Sequence, residues 1–236
     1  MVLYMPTIET TLNTDTKIQI LRTLSINDKS YSSPDLEEAT TKDITSIYKA
    51  LEDLRKENVL KTIQTEGKTK YYKIEKPERG VTELMTPSSF PGALRHIFFS
   101  EINQYGLNEL PPHPLNIVFD FRKKLINQVE GIKTIILFGS AARGEYALGS
   151  DLDFYIVHEN NKQNIESKVF DISEKYDHEF SLEVKTVEQY EEDFSKPLSK
   201  LADSMIKDGY SVLYGNGKKP KKYINEATES PKPGGE

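Results

Sequence analysis

The first third of the chain carries apolar residues at helical spacing. Ile18, Leu21 and Leu24 recur every three residues in the stretch KIQILRTLSI, which predicts an amphipathic helix. Thr14 and Asp15 stand just before that stretch, and either side chain can accept a hydrogen bond from the free backbone N–H groups of a first helical turn. The pattern therefore predicts a first helix capped by one of these two residues.

Two further helices are predicted before residue 60. Ser33 is the expected N-cap of the second helix, with Pro34 at its first position and Glu37 completing a capping box. Thr41 is the expected cap of the third helix, which runs through KDITSIYKALEDLRKENVL. The stripe of this helix that is predicted to be buried consists of Ile44, Ile47, Tyr48, Leu51 and Leu54.

A β-hairpin is predicted after the third helix. In 59-VLKTIQTEGKTKYYKIE-75, apolar and polar residues alternate on both sides of Glu66 and Gly67, which form the predicted turn. Three helices followed by a two-stranded hairpin, with the phrase LEDLRKENVLK before the hairpin, resemble the winged helix-turn-helix fold of prokaryotic transcription regulators. The resemblance covers residues 14–76.

This resemblance implies a mode of DNA binding, in which the third helix enters the major groove and the hairpin touches phosphates. The side chains that it assigns to DNA are Lys42, Thr45, Ser46 and Lys49 on the third helix, and Lys68 and Lys70 at the tip of the hairpin. Units of this fold also serve as dimerisation or protein-docking modules, so DNA and protein are both open as partners.

Strand patterns and helix patterns alternate in the second half of the chain. The β-branched run 132–138 predicts a buried strand, and the segments 152–157, 180–186 and 212–215 predict three more. Helices are predicted over 93–106, 116–131, 162–176 and 196–208. The alternation of strands and helices indicates an α/β domain.

Changes in composition divide the chain. Residues 77–92 are rich in residues that break helices and strands, which indicates a linker, and the polar tail with Pro and Gly is predicted to be disordered. The predicted organisation is an arm over 1–13, a winged helix-turn-helix domain over 14–76, a linker with a helix over 77–115, an α/β domain over 116–215 and the tail over 216–236.

Overall composition narrows the class of protein. Hydrophobic residues make up 36% of the chain and charged residues 29%, and 13 Tyr with 10 Phe suffice for compact cores. The net charge of −6 excludes a global positive field, so nucleic acid binding requires a local basic patch. The chain contains no cysteine, which excludes disulfides and thiolate metal sites.

Targeting features are also absent from the sequence pattern. The start MVLYMPTIET is unlike a secretory signal, and no apolar run approaches the ~20 residues that a membrane span needs. We therefore expect a soluble, cytoplasmic protein without a membrane partner.

The stretch 137-LFGSAARGEYALGSDLDFYIV-157 carries the candidate chemistry. Asp151 and Asp153 are two residues apart at the start of a predicted strand, so their side chains project from the same face. Two adjacent carboxylates repel each other, and a divalent cation between them relieves the repulsion. Oxygen ligands of this kind suit Mg²⁺, which keeps coordination positions for water and substrate phosphates.

The Gly-Ser pair upstream suits phosphate. Gly139 lacks a side chain, so a phosphate can approach the backbone closely, while Ser140 adds a hydroxyl donor and Arg143 adds a guanidinium fork. A P-loop is excluded because Glu145 and Tyr146 stand where Lys and Ser or Thr are required. Phosphate-binding groups beside metal-binding carboxylates predict a nucleoside triphosphate site.

The pattern GS-x10-DxD, in the form LFGSAARGE followed by SDLDFYIV, resembles the minimal nucleotidyltransferases of the DNA polymerase beta superfamily. This group includes the MNT-type proteins found beside HEPN toxins. The resemblance extends over residues 116–215 and includes the closing phrase GYSVLYG. It implies an α/β (α+β) nucleotidyltransferase domain with a mixed sheet, preceded here by a winged-helix domain.

The resemblance also implies a reaction and its residues. A nucleoside monophosphate, AMP from ATP, would be transferred to a hydroxyl group with the help of two Mg²⁺ ions. Asp151 and Asp153 are implied as catalytic metal ligands, and a third carboxylate is expected on the neighbouring strand. Glu183 is the candidate for this third position, with the alternatives Asp177 and Glu179. The implied nucleotide-binding residues are Gly139, Ser140, Arg143 and Ser150.

Two functions remain open at this point. An intact set of three acids favours an enzyme, and the family context implies a protein acceptor such as a partner toxin, with the chain as its antitoxin. The alternative is a transcription regulator that uses the second domain as a nucleotide sensor or dimerisation unit, and a homodimer is compatible with either. The histidines have no metal-ligand spacing and are expected to be structural or solvated: His96, His113, His158 and His178.

Overall fold

The structure is a computed structural model, and it describes residues 12–26, 29–64, 69–74, 90–159, 165–195, 205 and 209–215. Its N-terminal unit consists of α1 (Asp15–Ile26), β1 (Tyr31–Ser32), α2 (Ser33–Ala39), α3 (Ile44–Lys56), β2 (Leu60–Gln64) and β3 (Lys70–Ile74). The strands form an antiparallel sheet in the order β1-β3-β2. The apolar faces of the three helices enclose a core with the sheet, including Leu21, Ile47, Leu51 and Tyr72.

The caps of these helices correct part of the sequence prediction. Thr14 caps α1, because its hydroxyl accepts from the Lys17 N–H. The capping box of α2 lies one residue earlier than predicted: Ser32 is the N-cap, Asp35 is its partner and Pro34 takes the second helical position. Several consecutive Ser, Thr and Asp residues can each cap a helix, so the pattern alone cannot select among them.

Helix α3 differs from the prediction in two ways. Asp43, rather than Thr41, is its N-cap and accepts from the Ser46 N–H at 3.0 Å. Tyr48 is 55% exposed and does not belong to the buried stripe, whereas Ala50 is buried. Helix α3 is packed on one side only. The neighbouring elements decide which of its faces turns toward the core, and the spacing of its apolar residues alone does not.

Parts of the predicted organisation fall outside the described residues. These are residues 1–11 of the arm, the hairpin turn at Glu66 and Gly67, residues 77–89 of the linker, all but residue 205 of the helix predicted over 196–208, and the tail over 216–236.

Two helices connect the N-terminal unit to the second sheet. They are α4 (Phe90–Gln104) and α5 (Pro112–Gln128). Helix α5 begins before the predicted start at residue 116, with prolines in its first turn. Proline is tolerated there because first-turn N–H groups have no intrahelical acceptor. On α5, Asn116 is fully buried and its amide donates to the Thr23 hydroxyl and the Ala39 carbonyl, which ties α5 to the N-terminal unit.

A four-stranded sheet forms the rest of the described chain. Its elements are β4 (Ile132–Phe138), α6 (Gly139–Arg143), β5 (Leu152–His158), α7 (Ile165–Ser173), β6 (Phe180–Thr186), α8 (Val187–Ser195) and β7 (Ser211–Tyr214). The strand order is β6-β5-β4-β7, with β5 and β6 parallel and the other pairs antiparallel. This confirms the predicted mixed sheet, and β4 and β6 have the predicted bounds.

The two faces of this sheet have different environments. The face that we call the core face carries Leu152, Phe154 and Ile156 of β5, which are buried against α5 and α7. The opposite face, which we call the site face, carries Asp153 and then Tyr155 of β5, and α8 covers Tyr155. Alternate residues of one strand thus enter the core and face the candidate site.

None of the helices that the structure describes is long and apolar enough to cross a lipid bilayer.

Candidate active site

Gly139 and Asp153 are in direct contact at the edge of the site face. Strand β4 ends at Phe138, which pairs with Asp153 in the register of β4 and β5. Gly139 then takes a φ of 70°, and a Cβ on it would lie 2.8 Å from the carboxyl carbon of Asp153. Only glycine gives the carboxylate this space while adopting the positive φ, so the Gly-Ser turn and the Asp-x-Asp motif form one site.

The electrostatics of the two aspartates follow from this position. Partial burial raises the pKa of Asp153, and the charge of Asp151 raises it further. A hydrogen bond from the Ser181 hydroxyl and the positive charge of Arg143 act in the opposite direction. A half-buried carboxylate beside a second carboxylate is held at an electrostatic cost, which a bound cation would offset. The pair therefore fits a divalent cation such as Mg²⁺.

The register of β5 and β6 places Ser181, rather than an acid, opposite Asp153. Glu183 projects from the same site face but pairs with Tyr155, two residues further along the strands. The Glu183 carboxylate forms an ion pair with the Lys185 ammonium group, with 3.0 Å between Oε2 and Nζ. Among the residues that the structure describes, His, Cys, Asp and Glu form no group of three that could hold a metal ion.

The two alternatives for the third acid lie before β6. Asp177 and Glu179 are both exposed, and the Glu179 carbonyl accepts from the Leu152 N–H at 3.0 Å at the entrance of β5. Neither side chain joins the two aspartates in a three-acid group within the described residues. Glu183 therefore stays the predicted third carboxylate, two residue pairs along the strands from Asp153.

The predicted phosphate-binding residues surround the same turn. Ser140 and Arg143 belong to α6, which is only five residues long. So short a helix has a small dipole, and phosphate affinity there depends on individual donors. The Arg143 Nε donates to Glu145 at 2.8 Å, and the guanidinium has five N–H donors in all, so this one bond does not exhaust its donors.

Ser150 has a structural role in the turn that precedes the aspartates. Its hydroxyl accepts from the Ala147 N–H at 3.3 Å, and its own N–H donates to the Ala147 carbonyl at 3.0 Å. Ser150 therefore closes the turn over residues 147–150. Its predicted contact with a nucleotide stays a prediction.

Three residues at the site were not among the predicted site residues. Ser181 bonds Asp153, while Tyr146 and His178 contact each other beside Asp151, with 3.2 Å between the Tyr146 hydroxyl and the His178 Nε2. The parity of β6 places Ser181 on the same face as Glu183, which is a signal that the sequence contains. No sequence pattern links Tyr146 to His178, because they are brought together only by folding.

The residues predicted to contact DNA lie on the N-terminal unit. Thr45 and Lys49 are exposed on α3, and Lys42, just before α3, is partly buried. The Ser46 hydroxyl donates to Asp43 at 2.7 Å, so it is used within the cap. Lys70 is exposed on β3, and Lys68 lies outside the described residues.

One known family matches part of the chain. Residues 118–209 match the family model described as a nucleotidyltransferase domain. No curated protein matches the chain significantly. Among solved structures, a similar chain is a candidate nucleotidyltransferase from Sulfolobus solfataricus, which is 16% identical, with 51% of this chain and 87% of that chain covered and a TM-score of 0.29. The segment that matches the family model, residues 118–209, contains β4, β5, β6 and both aspartates, and it excludes the N-terminal unit.

Proposed function

Because residues 118–209 match the family model of a nucleotidyltransferase domain, we propose that the chain is a metal-dependent enzyme that transfers AMP from ATP to a hydroxyl group of a protein acceptor. The observation that carries this proposal is the contact between the Asp153 carboxylate and the Gly139 turn, with Asp151 alongside. This contact supports the proposal because two carboxylates suited to a divalent cation then lie beside a turn suited to phosphate.

The acidic pair is the part of the site that would hold the metal. The raised pKa of Asp153 reflects burial and the neighbouring charge of Asp151, and both are relieved when a cation binds. When bound, Mg²⁺ supplies positive charge that neutralises the carboxylates and the triphosphate. The second ion expected from the resemblance would need a further ligand, and Glu183 is the predicted one.

The side chains around the pair have separate roles in this proposal. Ser140 and Arg143 bind phosphate oxygens and hold the α-phosphate in line with the acceptor hydroxyl. Ser181 keeps Asp153 oriented through its hydrogen bond. Glu183 takes the proton of the acceptor hydroxyl as the new O–P bond forms and pyrophosphate leaves.

The direct test is transfer of label from ATP labelled at the α-phosphate, in the presence of Mg²⁺ and candidate acceptor proteins. We expect Asp151→Asn/Asp153→Asn to lose transfer by about a thousandfold, because the charge that holds the metal is removed. Asp171→Asn is the matched control, since Asp171 is an exposed acid on α7. Undiminished transfer by the double variant contradicts the proposal.

We further propose that the N-terminal unit is a winged helix that binds DNA through α3. Support comes from the order α1, β1, α2, α3, β2, β3 with its three-stranded sheet, and from the exposure of Thr45, Tyr48 and Lys49 on α3. Lys42→Ala/Lys49→Ala should weaken DNA binding and flatten its dependence on salt, because each lysine that contacts a phosphate displaces counterions. Lys168→Ala, an exposed lysine on α7, is the control. Unchanged binding and salt dependence would favour a protein-docking role, including dimerisation.

A nucleotide sensor without turnover is the second candidate function. The observation in its favour is that Ser181 occupies the position opposite Asp153. A sensor would bind a non-hydrolysable ATP analogue with Mg²⁺ and would transfer no label to any acceptor. The same labelled-ATP assay, run beside an analogue titration, separates the two functions, and a toxin encoded next to the chain is the first acceptor to try.

A further inference from the structure

Two histidines lie between the N-terminal unit and the loop that leads into the aspartates. His113 is in the first turn of α5, and its Nδ1 lies 3.3 Å from the Thr40 carbonyl oxygen, to which a protonated Nδ1 donates. The His113 ring is 6.4 Å from the ring of His178, centroid to centroid. His178 stands just before β6, so the two rings join α5 to the entrance of the sheet.

The first turn of α5 is fixed to the N-terminal unit. Helix α2 ends at Ala39. The last carbonyl groups of a helix have no N–H donor within that helix, so they need partners from elsewhere. Asn116 donates to the Ala39 carbonyl and His113 to the Thr40 carbonyl. Two residues on one side of α5 thus satisfy two consecutive carbonyls of the N-terminal unit, which sets the position of His113.

His178 in turn holds the loop over residues 144–150. The His178 Nε2 lies 3.2 Å from the Tyr146 hydroxyl, and the Ser150 carbonyl lies close enough to the ring to raise the pKa of His178. The Tyr146 and His178 rings are stacked, with 6.1 Å between centroids and 21° between planes. The tip of the loop is in solvent, since Leu148 is 104% exposed. Tyr146, which contacts His178, lies two residues before this exposed tip.

The Ser150 carbonyl belongs to the peptide that joins Ser150 to Asp151. The contact between Tyr146 and His178, with the bond from the Leu152 N–H to the Glu179 carbonyl at 3.0 Å, holds His178 beside this planar peptide. This restrains the direction in which the Asp151 side chain leaves the backbone. The side chains of Tyr146 and His178 both lie close enough to Asp151 for its charge to shift their pKa values. The Asp151 charge raises the pKa of Tyr146, after the larger effect of burial. It also raises that of His178, whose pKa is lowered overall, first by burial and then by His113.

We propose that His178 is a positioning residue for Asp151, and that His113 of α5, anchored to the Thr40 carbonyl of the N-terminal unit, braces it, so that this unit supports the candidate active site. The proposal rests on the proposed function, because it assigns a role in a site for metal and nucleotide. The groups that face His178 are Tyr146 and Asp151 from the loop, His113 from α5, and Glu179 and Phe180 beside it in sequence.

Ring ¹⁵N NMR tests the contacts without any substrate. The chain has only four histidines, so each ring can be assigned by single substitution. Tyr146→Phe should shift the Nε2 signal of His178, and His113→Ala should shift both of its ring signals. His158, at the opposite end of β5, is the internal control and should not respond. A His178 ring that ignores both substitutions overturns the proposal.

Metal affinity and kinetics test the role. With Mn²⁺ alone as a spectroscopic probe of the acidic pair, His178→Ala should weaken binding by about tenfold. His178→Gln, which keeps a polar group near the Nε2 position, should recover part of the loss. In transfer assays His178→Ala should lower kcat about tenfold with a small change in KM for ATP. In an Asp151→Asn background the same substitution should cause no further loss of Mn²⁺ affinity, because His178 acts through Asp151.

The outcomes separate this proposal from the proposed function. A wild-type protein that neither binds Mn²⁺ nor transfers label contradicts the proposed function. A wild-type protein that does both, with His178→Ala and Tyr146→Phe doing both equally well, contradicts the positioning role alone. If His178→Ala lowers the melting temperature strongly, Tyr146→Phe is the milder variant on which the Mn²⁺ measurement decides.

Discussion

The core face and the site face of the four-stranded sheet are built by alternate residues of the same strands. On β5, Leu152 and Phe154 of the core face are fully buried among apolar side chains. Asp153 between them is half-buried beside a second carboxylate, with a raised pKa. One face therefore stabilises the sheet by burial, and the end of the other carries charge that opposes folding until a cation binds.

The site face itself changes character along β5. Tyr155 and Val157 are as buried as the core face, under α8. Only the first residue pair, Asp153 and Ser181, remains beside the Gly139 turn. On β5 the candidate chemistry is thus confined to one end of this face, and the packing of Tyr155 and Val157 under α8 fixes the strand that carries Asp153.

The largest expected effect removes packing from the core face. Phe154 contacts Phe121, with ring centroids 4.8 Å apart, and Phe180 at 5.8 Å. Phe154→Ala should lower the free energy of unfolding by about 3–5 kcal/mol, measured by urea denaturation. Phe170→Ala is the matched control, because Phe170 is 47% exposed on α7. Similar losses for both variants would contradict the assignment of Phe154 to the core.

The second expected effect concerns the turn on the site face. Gly139→Ala places a Cβ against the Asp153 carboxylate and strains a φ of 70°, so the transfer rate should fall about a hundredfold. Gly106→Ala is the control for strain alone, because Gly106 has a φ of 69° and open space around its Cβ position. Equal activity of the two variants would show that Asp153 does not depend on this contact.

A smaller loss is expected from Glu183→Gln. Glu183 lies two residue pairs from Asp153 and forms an ion pair with Lys185, so we expect kcat to fall about tenfold, less than on loss of either aspartate. The measurement is the transfer rate at saturating ATP. Should Asp177→Asn or Glu179→Gln lower the rate more, the third acid comes from the turn before β6 instead.

The smallest expected effect is a gain in stability. A carboxylate with a raised pKa favours the folded state most when it is protonated, and this contribution is lost as the pH rises through the raised pKa. In metal-free buffer at neutral pH, Asp153→Asn should therefore raise the melting temperature, by about 2–4 °C for a gain of ~1 kcal/mol. The gain should shrink as the pH falls toward 3.8, the ordinary pKa of an aspartate.

Divalent cation provides the control for that measurement. Mg²⁺ should stabilise the wild-type chain and have little effect on Asp153→Asn, since binding to the folded state alone raises stability. A variant that is less stable than the wild type in metal-free neutral buffer would contradict the electrostatic account of the site face.

Much of the local structure was predictable because it depends on short-range patterns. The β-branched runs of β4 and β6 gave the bounds of these strands correctly, and parity placed Asp151 and Asp153 apart from the core residues Leu152 and Phe154. The caps of α2 and α3 were wrong by one and two residues, because neighbouring polar side chains compete for the same backbone donors.

The sequence by itself determined the Gly-Ser turn, the acidic pair and the side of β6 from which Glu183 projects, since each follows from spacing along one strand or turn. Only the tertiary structure decided that Ser181 faces Asp153 and that His178 contacts Tyr146 beside Asp151. Register between strands and contacts between distant loops depend on how whole elements pack. A shift in register would change every residue that a strand pairs with, although the sequence pattern of the strand would stay the same.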